Sequence, residues 1–181
     1  MENPEFSQLQ YPIGKFTEPS TIDRKSIDVS IADIASFPEK LTKLAGQLSE
    51  AQLDTPYRPR GWTVRQVVHH CADSHMNSLI RFKLALTEDK PIIKPYHEDR
   101  WAELADSKIM EVETALSLLR ALHNIWVFLL RSLDETDLSK VYVHPEAGRE
   151  YKLDYAILLY AWHCNHHLAH IAGLASRMGW K

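Results

Sequence analysis

The chain has 181 residues, 45% of them hydrophobic and 25% charged, and its formal net charge is −3. This length and composition are typical of a soluble globular protein, and we expect a single domain over residues 1–181 with a substantial core. The weakly negative charge argues against nucleic acid as a partner, because nucleic-acid-binding proteins carry a basic face. No apolar run of about 18 residues is present, so we expect no membrane span.

The N-terminus indicates the compartment, and the compartment indicates the redox state of the cysteines. The first residues, MENPEFSQLQYPIGKF, show no basic start followed by an apolar stretch, which would mark a secretory signal peptide. We therefore expect a cytoplasmic protein. Its two cysteines, Cys71 and Cys164, are then buried reduced thiols without a catalytic role.

The first part of the chain is predicted to be an arm followed by a helix. Residues 1–26 hold three of the nine prolines and show no helical period, so we expect an extended N-terminal arm. A helical pattern then covers residues 27–49, and Pro38 should kink this helix or mark its true start. The segment TPYRPRG that follows is a loop, because two prolines and a glycine interrupt it.

Two further long helices are predicted in the middle of the chain. Thr63 is a suitable N-cap for a second helix, which must end before Pro91. The proline-rich stretch beyond it permits only a short helix, over residues 98–105. Over residues 111–135 the apolar positions follow the helical spacing and predict a third long helix.

The last part of the chain predicts a hairpin and a fourth helix. The alternating Val141 and Val143 precede a Pro-Glu-Ala-Gly turn, which indicates a short β-hairpin or an extended loop. A helix then begins near Asp154 and ends just before Gly179. Four long amphipathic helices in one domain predict an all-α protein with a four-helix-bundle fold.

The fourth helix carries four histidines within the segment AWHCNHHLAH. Each residue advances by about 100° around a helix, so His163, His166, His167 and His170 all lie on the apolar stripe that faces the bundle core. Unpaired polar groups are costly to bury, and two histidines four residues apart can bind one metal ion together. Four of them on one inward face favour a metal site over a set of histidines that only hydrogen-bond to their neighbours.

A third ligand is expected from the second helix, where VVHHCADSH offers several candidates. Helical periodicity slightly favours His75, near the middle of the apolar stripe, over His70 on its flank, and it places His69 toward solvent. Three histidine ligands leave a coordination position open, which is the arrangement of a catalytic site and not of a structural one.

Two long motifs identify the family that this chain resembles. GWTVRQVVHHCADSHMNSLIRFKLALTE and YAWHCNHHLAHIAGLASRMGW closely resemble the YfiT-like proteins of the DinB-like superfamily, as do YPIG near the N-terminus and QLDTPYR before the first motif. The resemblance covers nearly the whole chain. It implies a four-helix bundle of the DinB/YfiT type, in which one histidine of the second helix and two of the last helix bind a divalent metal.

Carried over to this sequence, the family's ligand pattern selects three residues. The ligand from the second helix is His70, and the pair from the last helix is His163 and His167. The resemblance therefore overrides the preference that periodicity gives to the other candidate in the second helix. Three histidines become supporting or packing residues: His75, His166 and His170.

The activity associated with YfiT-like proteins is that of a metal-dependent hydrolase, in which a three-histidine site activates water for attack on a small-molecule substrate. Relatives in the wider superfamily transfer low-molecular-weight thiols such as bacillithiol, so a metal-dependent thiol S-transferase is the alternative enzyme. Both reactions use a nucleophile whose pKa a divalent metal lowers. A non-catalytic metal-binding or stress-related protein is the third hypothesis.

Further expectations concern the metal and the groups around it. Zn²⁺ is the ion that three imidazoles favour, and Ni²⁺ would bind the same set. Asp73, one helical turn from His70, is the candidate carboxylate beside the ligands, with an ordinary helix charge as the alternative. The segment that contains Tyr96 and Glu98 could cover the site, although we interpret it as a plain surface connector.

We also expect a homodimer. One reason is the resemblance to YfiT-like proteins, and the other is that the arm is apolar for a free tail. Its apolar side chains are Phe6, Tyr11, Ile13 and Phe16.

Overall fold

The computed structural model describes residues 4–180, with side chains from residue 7 onward, so the expectation for Phe6 lies outside the described side chains. Four long helices dominate this part of the chain, as the sequence predicts. In chain order the elements are α1 (Pro4–Gln10), α2 (Arg24–Ala45), α3 (Glu50–Leu53), α4 (Val64–Thr87), α5 (Glu98–Trp101), α6 (Ala105–Ile109), α7 (Val112–Arg131), α8 (Glu135–Leu138), β1 (Val141–His144), β2 (Arg149–Lys152) and α9 (Leu153–Met178).

Capping residues explain why the start of α4 and the end of α9 agree with the prediction, whereas α2, predicted over residues 27–49, both begins and ends earlier. At the start of α4 the Gln66 amide donates to the Thr63 hydroxyl oxygen, and the Gln66 side chain accepts from the Thr63 amide. Gly179, with φ 66°, ends α9 in the left-handed conformation. α2 begins before residue 27, because Asp23 caps it, and it runs through Pro38 instead of starting there.

Two predicted helices have different limits in the structure. The third long helix ends at Arg131 and not near residue 135, because the Asp134 carboxylate accepts from the Asp137 amide and starts α8. The single short helix predicted over residues 98–105 is replaced by α5 and α6, with a turn between them.

The order of the long helices around the bundle differs from their order along the chain. α2 packs against α9 and α7, and α4 packs against α7 and α9, whereas α2 makes few contacts with α4. α2 therefore lies diagonally opposite α4, and α7 lies diagonally opposite α9, whereas the consecutive helices α4 and α7 are neighbours. The connections at residues 46–63 and 132–152 are long enough to cross the bundle between the diagonal pairs. As a result, the two histidine-bearing helices, α4 and α9, lie side by side.

The hairpin expected before the last helix is confirmed. β1 and β2 pair antiparallel, and Gly148 adopts a left-handed conformation (φ 62°) at the turn. The Ile93 amide donates to the Val143 carbonyl, and the Val143 amide donates to the Pro91 carbonyl. These two bonds tie the hairpin to the connection that follows α4.

The N-terminal arm is not wholly extended, contrary to the prediction, because it contains α1. Pro4 occupies the first helical position, where its missing amide hydrogen costs nothing, since the first amides of a helix have no intrahelical acceptor. A short helix of this kind shows no long apolar period, so periodicity could not reveal it.

Beyond α1, the arm lies against α9 of the same chain. The Trp162 indole Nε1–H donates to the Gly14 carbonyl at 3.2 Å. The ring of Phe16 packs edge-on against Tyr155, with centroids 5.5 Å apart. These contacts fix the arm next to the histidine motif.

The core between the long helices contains both cysteines as free thiols. Trp126, Phe37 and Phe82 are among the largest side chains with no exposure to solvent. Cys71 and Cys164 are equally inaccessible, and burial raises the pKa of both thiols.

Within residues 4–180, no helix has the length and apolar character that a membrane span requires.

We expect neither thiol to react with an aromatic disulfide reagent in the folded protein at mildly alkaline pH, because the thiolate is the reactive form and burial suppresses it. Thiol titration before and after unfolding in guanidinium chloride measures this, and both cysteines should react only after unfolding. The Cys164→Ser variant serves as the control that assigns each thiol. Rapid reaction of either thiol in the native protein would contradict the buried placement.

Candidate metal centre

α4 and α9 bring three imidazoles together at the centre of the bundle. His163 and His167 lie one turn apart on α9, and Nε2 of His163 is 3.3 Å from Nε2 of His70 on α4. One ring nitrogen from each of the three residues lies within 4.8 Å of the other two. The group contains the three residues selected by the family resemblance, and His75, which periodicity favoured, does not belong to it.

The spacing of these nitrogens fits a metal ion. Zn–N bonds of about 2.0–2.1 Å at tetrahedral angles place two imidazole nitrogens about 3.3–3.4 Å apart. The distance between Nε2 of His70 and Nε2 of His163, 3.3 Å, lies in this range. Three uncharged nitrogen donors also match the ligand preference of Zn²⁺ and Ni²⁺, so the residues present fit the ion that the family implies.

Burial keeps the three imidazoles uncharged. Burial, together with the neighbouring His166 and His170, lowers the pKa of His70 to about 4. Burial also lowers the pKa of His163 and His167 well below the ordinary histidine value. Because metal binds the neutral form of imidazole, no proton has to be displaced from these rings at neutral pH.

The three imidazoles line a cavity of about 670 Å³. Its walls come from the arm, from the loop before α4, from the connection after α4 and from the hairpin. The interpretation of the segment around Tyr96 and Glu98 as a plain connector is wrong, because both side chains line this cavity. Three arginines and three carboxylates are among the lining residues: Arg58, Arg60, Arg81, Glu98, Asp99 and Glu146.

Asp73 lies half-buried on α4, and it is not among the residues that line the cavity. Burial, and to a smaller extent the carboxylate of Asp106 on α6, raises the pKa of Asp73 to about 6. The next residue, Ser74, is the one that faces the ligands, with Oγ 3.5 Å from Nε2 of His163. The role of Asp73 beside the metal therefore stays a prediction.

A line of histidines runs from the ligands into the core. Nδ1 of His163 lies 3.1 Å from Nε2 of His75, and Nδ1 of His75 lies 2.8 Å from Nε2 of His123 on α7. Nδ1–H of His123 donates to the carbonyl of Ile34 on α2 at 2.7 Å. The sequence analysis missed His123, because a lone histidine in a long apolar helix shows no ligand spacing and only the packing of α7 places it here.

The other two histidines of the α9 motif lie on the side of the arm. Nδ1 of His170 is 3.4 Å from Nδ1 of His167, and Nε2–H of His170 donates to the Gln10 carbonyl at 3.0 Å. The ring of His166 stacks on Trp162, with centroids 4.5 Å apart. Ring nitrogens of His166, His167 and His170 also lie within 4.8 Å of one another, so these residues form a second compact group.

His69 is buried, contrary to the prediction that it faces solvent. α6 packs against α4; burial lowers the pKa of His69, and the backbone of Met110 just beyond α6 opposes this shift to a smaller extent. Periodicity identifies the face of a helix that meets the bundle, but it does not reveal a short helix that covers another face.

Comparison with known proteins agrees with the family resemblance. The model of the DinB superfamily matches residues 34–171. A Bacillus cereus protein is 56% identical over 174 residues, which cover 96% of this chain and 99% of that protein. Proteins of Bacillus thuringiensis subsp. konkukian and Bacillus anthracis have the same identity and coverage. All three bear the name "Putative metal-dependent hydrolase".

A solved structure shares the fold over nearly the whole chain. YfiT from Bacillus subtilis matches with a TM-score of 0.94 and 47% sequence identity, over 96% of this chain and 99% of YfiT. It is described as a probable metal-dependent hydrolase with an unusual four-helix bundle topology. On both sequence and structure, the chain belongs to the DinB superfamily and has the YfiT-like four-helix-bundle fold.

Proposed function

We propose that this protein is a metal-dependent hydrolase whose metal is held by His70, His163 and His167. The observation that carries the proposal is the convergence of three uncharged imidazoles, two buried and His163 half-buried, at metal-ligand spacing on the wall of a 670 Å³ cavity. The similarity to the Bacillus proteins and to YfiT supports it. Zn²⁺ is the proposed ion and Ni²⁺ the alternative, because both accept a set of neutral nitrogen donors.

Each of the substitutions His70→Ala, His163→Ala and His167→Ala is expected to abolish binding of one metal ion per chain, since each leaves only two ligands. Elemental analysis of the purified variants measures the metal content. His166→Ala is the matched control, because His166 lies in the same motif but stacks on Trp162, and this variant should retain its metal. Full occupancy in His163→Ala would contradict the assignment.

The residues of the cavity wall suit the hydrolysis of a small molecule. A bound divalent metal lowers the pKa of a neighbouring water, which supplies the nucleophile. The wall arginines can donate charge-assisted hydrogen bonds to an oxygen that gains negative charge. The wall carboxylates can accept a proton, whereas Asp73, whose pKa burial raises to about 6, does not line the cavity and stays a candidate only for a role beside the ligands. Gln10 and Tyr11 of the arm also line the cavity.

Transfer of a low-molecular-weight thiol such as bacillithiol is the second candidate function. The observation in its favour is Arg81, which lines the cavity and whose buried Nε–H has no hydrogen-bond acceptor within residues 4–180. A guanidinium in this state suits a carboxylate, which bacillithiol carries and a neutral ester lacks. Cys71 and Cys164 do not line the cavity, so the thiol would have to come from a substrate.

One set of variants separates the two reactions. The metal-loaded protein is assayed for ester and amide hydrolysis without any thiol, and for adduct formation between a chloro-substituted bimane and bacillithiol, cysteine or glutathione. We expect thiol-independent hydrolysis that disappears in His163→Ala and His167→Ala and persists in His166→Ala. Metal-dependent adduct formation with the same pattern of variants, and no hydrolysis, would overturn the hydrolase in favour of the transferase.

Arg81→Gln sharpens this comparison. If the guanidinium binds a thiol's carboxylate, the variant should raise KM for bacillithiol by about 10–100-fold, the value of a hydrogen bond to a charged group. The KM for an uncharged thiol such as mercaptoethanol and the metal content should stay unchanged. An equal loss with both thiols would contradict recognition of a carboxylate by Arg81.

The third hypothesis, a non-catalytic metal-binding or stress-related protein, has less support at the ligands. A structural metal needs a fourth protein ligand. The two candidates for it direct their nitrogens elsewhere: His75 faces Nδ1 of His163, and His170 faces Nδ1 of His167. Among the described residues, the ligand group contains three donors.

We further propose that the protein is a homodimer formed through the outer face of α7. Leu118, Ile125 and Phe128 lie on one side of this helix and are 45%, 55% and 80% exposed. Exposed apolar side chains grouped on one side of a helix suit a protein–protein contact. The apolar residues of the arm are less suitable, because Phe16 packs on α9 of the same chain.

Light scattering at micromolar concentration should give the mass of a dimer for the wild-type protein and of a monomer for Phe128→Glu, since a charge in the apolar row opposes its burial. Deletion of residues 1–16 should lower the thermal midpoint and leave the dimer mass unchanged. A monomer mass for the wild-type protein would refute the homodimer.

A further inference from the structure

More histidines surround the candidate metal centre than three ligands require, and they form two hydrogen-bond paths. The inner path consists of His163, His75 and His123. The outer path consists of His167 and His170. Each path ends on a backbone carbonyl, which accepts hydrogen bonds and never donates, so the position of every ring proton along the path follows from that end.

The inner path begins at the carbonyl of Ile34. His123 donates to it from Nδ1–H at 2.7 Å, which leaves Nε2 of the neutral ring as an acceptor. His75 donates to that nitrogen from Nδ1–H at 2.8 Å, and its own Nε2 accepts from Nδ1–H of His163 at 3.1 Å. Nε2 of His163 consequently carries a lone pair, and this is the atom that faces Nε2 of His70.

The outer path follows the same rule. Nε2–H of His170 donates to the Gln10 carbonyl at 3.0 Å, so Nδ1 of His170 is an acceptor. Nδ1–H of His167 donates to it at 3.4 Å. The nitrogen of His167 that remains for the ligand group is Nε2, again with a lone pair.

Both anchoring carbonyls are ones that an α-helix leaves without an amide partner. Within a helix each carbonyl accepts from the amide four residues later, but Pro38, four residues after Ile34, has no amide hydrogen. The carbonyl of Ile34, in the middle of α2, therefore lacks the amide donor that a helix normally supplies, and it accepts from His123 instead. Gln10 is the last residue of α1, where carbonyls have no intrahelical donor.

We propose that the two paths hold His163 and His167 in the tautomer with the proton on Nδ1, so that both Nε2 lone pairs point at the metal position before a metal arrives. His75, His123 and His170 are then positioning residues that act through the ligand rings. The proposal rests on the ligand set of the proposed function. Hydrogen-bonded partners of this kind orient metal-binding histidines, and their loss commonly weakens metal binding.

The outer path also gives a reason why the second compact group of histidines is not a second metal site. Both nitrogens of His170 are engaged, one by the Gln10 carbonyl and one by His167.

Burial lowers the pKa of His75 and His123, so the rings of the inner path carry a single proton each at neutral pH.

The tautomers are measured directly by long-range proton–nitrogen NMR correlation on the metal-free protein near neutral pH, with each ring assigned by substitution. We expect the proton on Nδ1 in His163, His167, His75 and His123, and on Nε2 in His170. Free histidine in water prefers the Nε2–H form, so four rings in the other form would not arise by default. A proton on Nε2 of His163 or His167 would overturn the proposal.

The energetic consequence is measured by zinc affinity in competition with a chelating dye. His123→Leu removes the acceptor of the inner path without touching a ligand and should weaken zinc binding by about 10–100-fold. His123→Gln, whose amide oxygen replaces Nε2 as acceptor, should restore most of the affinity, and His166→Ala should bind as the wild type does. Unchanged affinity in His123→Leu would overturn the proposal.

Pro38→Ala tests the anchor without a threat to folding, since alanine favours the helix. The restored amide donates to the same Ile34 oxygen and so weakens the bond from His123, and zinc binding should weaken even though the helix becomes more stable. A changed tautomer of His123 together with unchanged zinc affinity would contradict the inner path, because the affinity would then not depend on the anchor. If the wild-type protein binds no metal at all, the proposed function is refuted. The two hydrogen-bond paths are still tested in that case, because the ring tautomers are measured on the metal-free protein.

Discussion

The structure around the candidate metal centre depends on one constraint, that an imidazole removed from water loses free energy for every ring nitrogen left without a partner. The interior of this bundle contains several such rings, and burial suppresses their charge, so the partners must be neutral hydrogen-bond groups or a metal. For His163 and His167, a neighbouring histidine is the partner of Nδ1, the ring nitrogen that faces away from the metal position. The two lines of histidines end on two backbone carbonyls. The remaining nitrogens converge, which is why a metal position arises at this point.

The diagonal order of the helices makes this convergence possible. α4 and α9 are distant in sequence, and they become neighbours because the long connections before α4 and before α9 carry the chain diagonally across the bundle. The same connections then line the cavity beside the ligands. The rigid helices thus hold the ligands, and the irregular segments supply the groups that would meet a substrate, a division that is common in enzymes.

The difference between a hydrolase and a thiol transferase lies in the cavity wall and not in the ligands. Three neutral imidazoles leave a divalent ion its full charge, which favours either a hydroxide or a thiolate as the next ligand. The choice between them therefore depends on whether the wall binds the second substrate. Arg81, with its unpartnered Nε–H, is the described residue that most directly bears on that choice.

The sequence by itself determined the four long helices and the two histidine pairs on α9, and it allowed a hairpin or an extended loop before α9, because caps such as Thr63 and the four-residue spacing are properties of neighbouring residues. The family motifs selected His163 and His167 from the two pairs and added His70, which periodicity alone ranked below His75. Only the tertiary structure brought in His123, the carbonyl of Ile34, the packing of the arm on α9 and the burial of His69 under α6. These depend on contacts between segments far apart in the chain, and a local pattern specifies which face of a helix is buried but not which residue of another segment meets it.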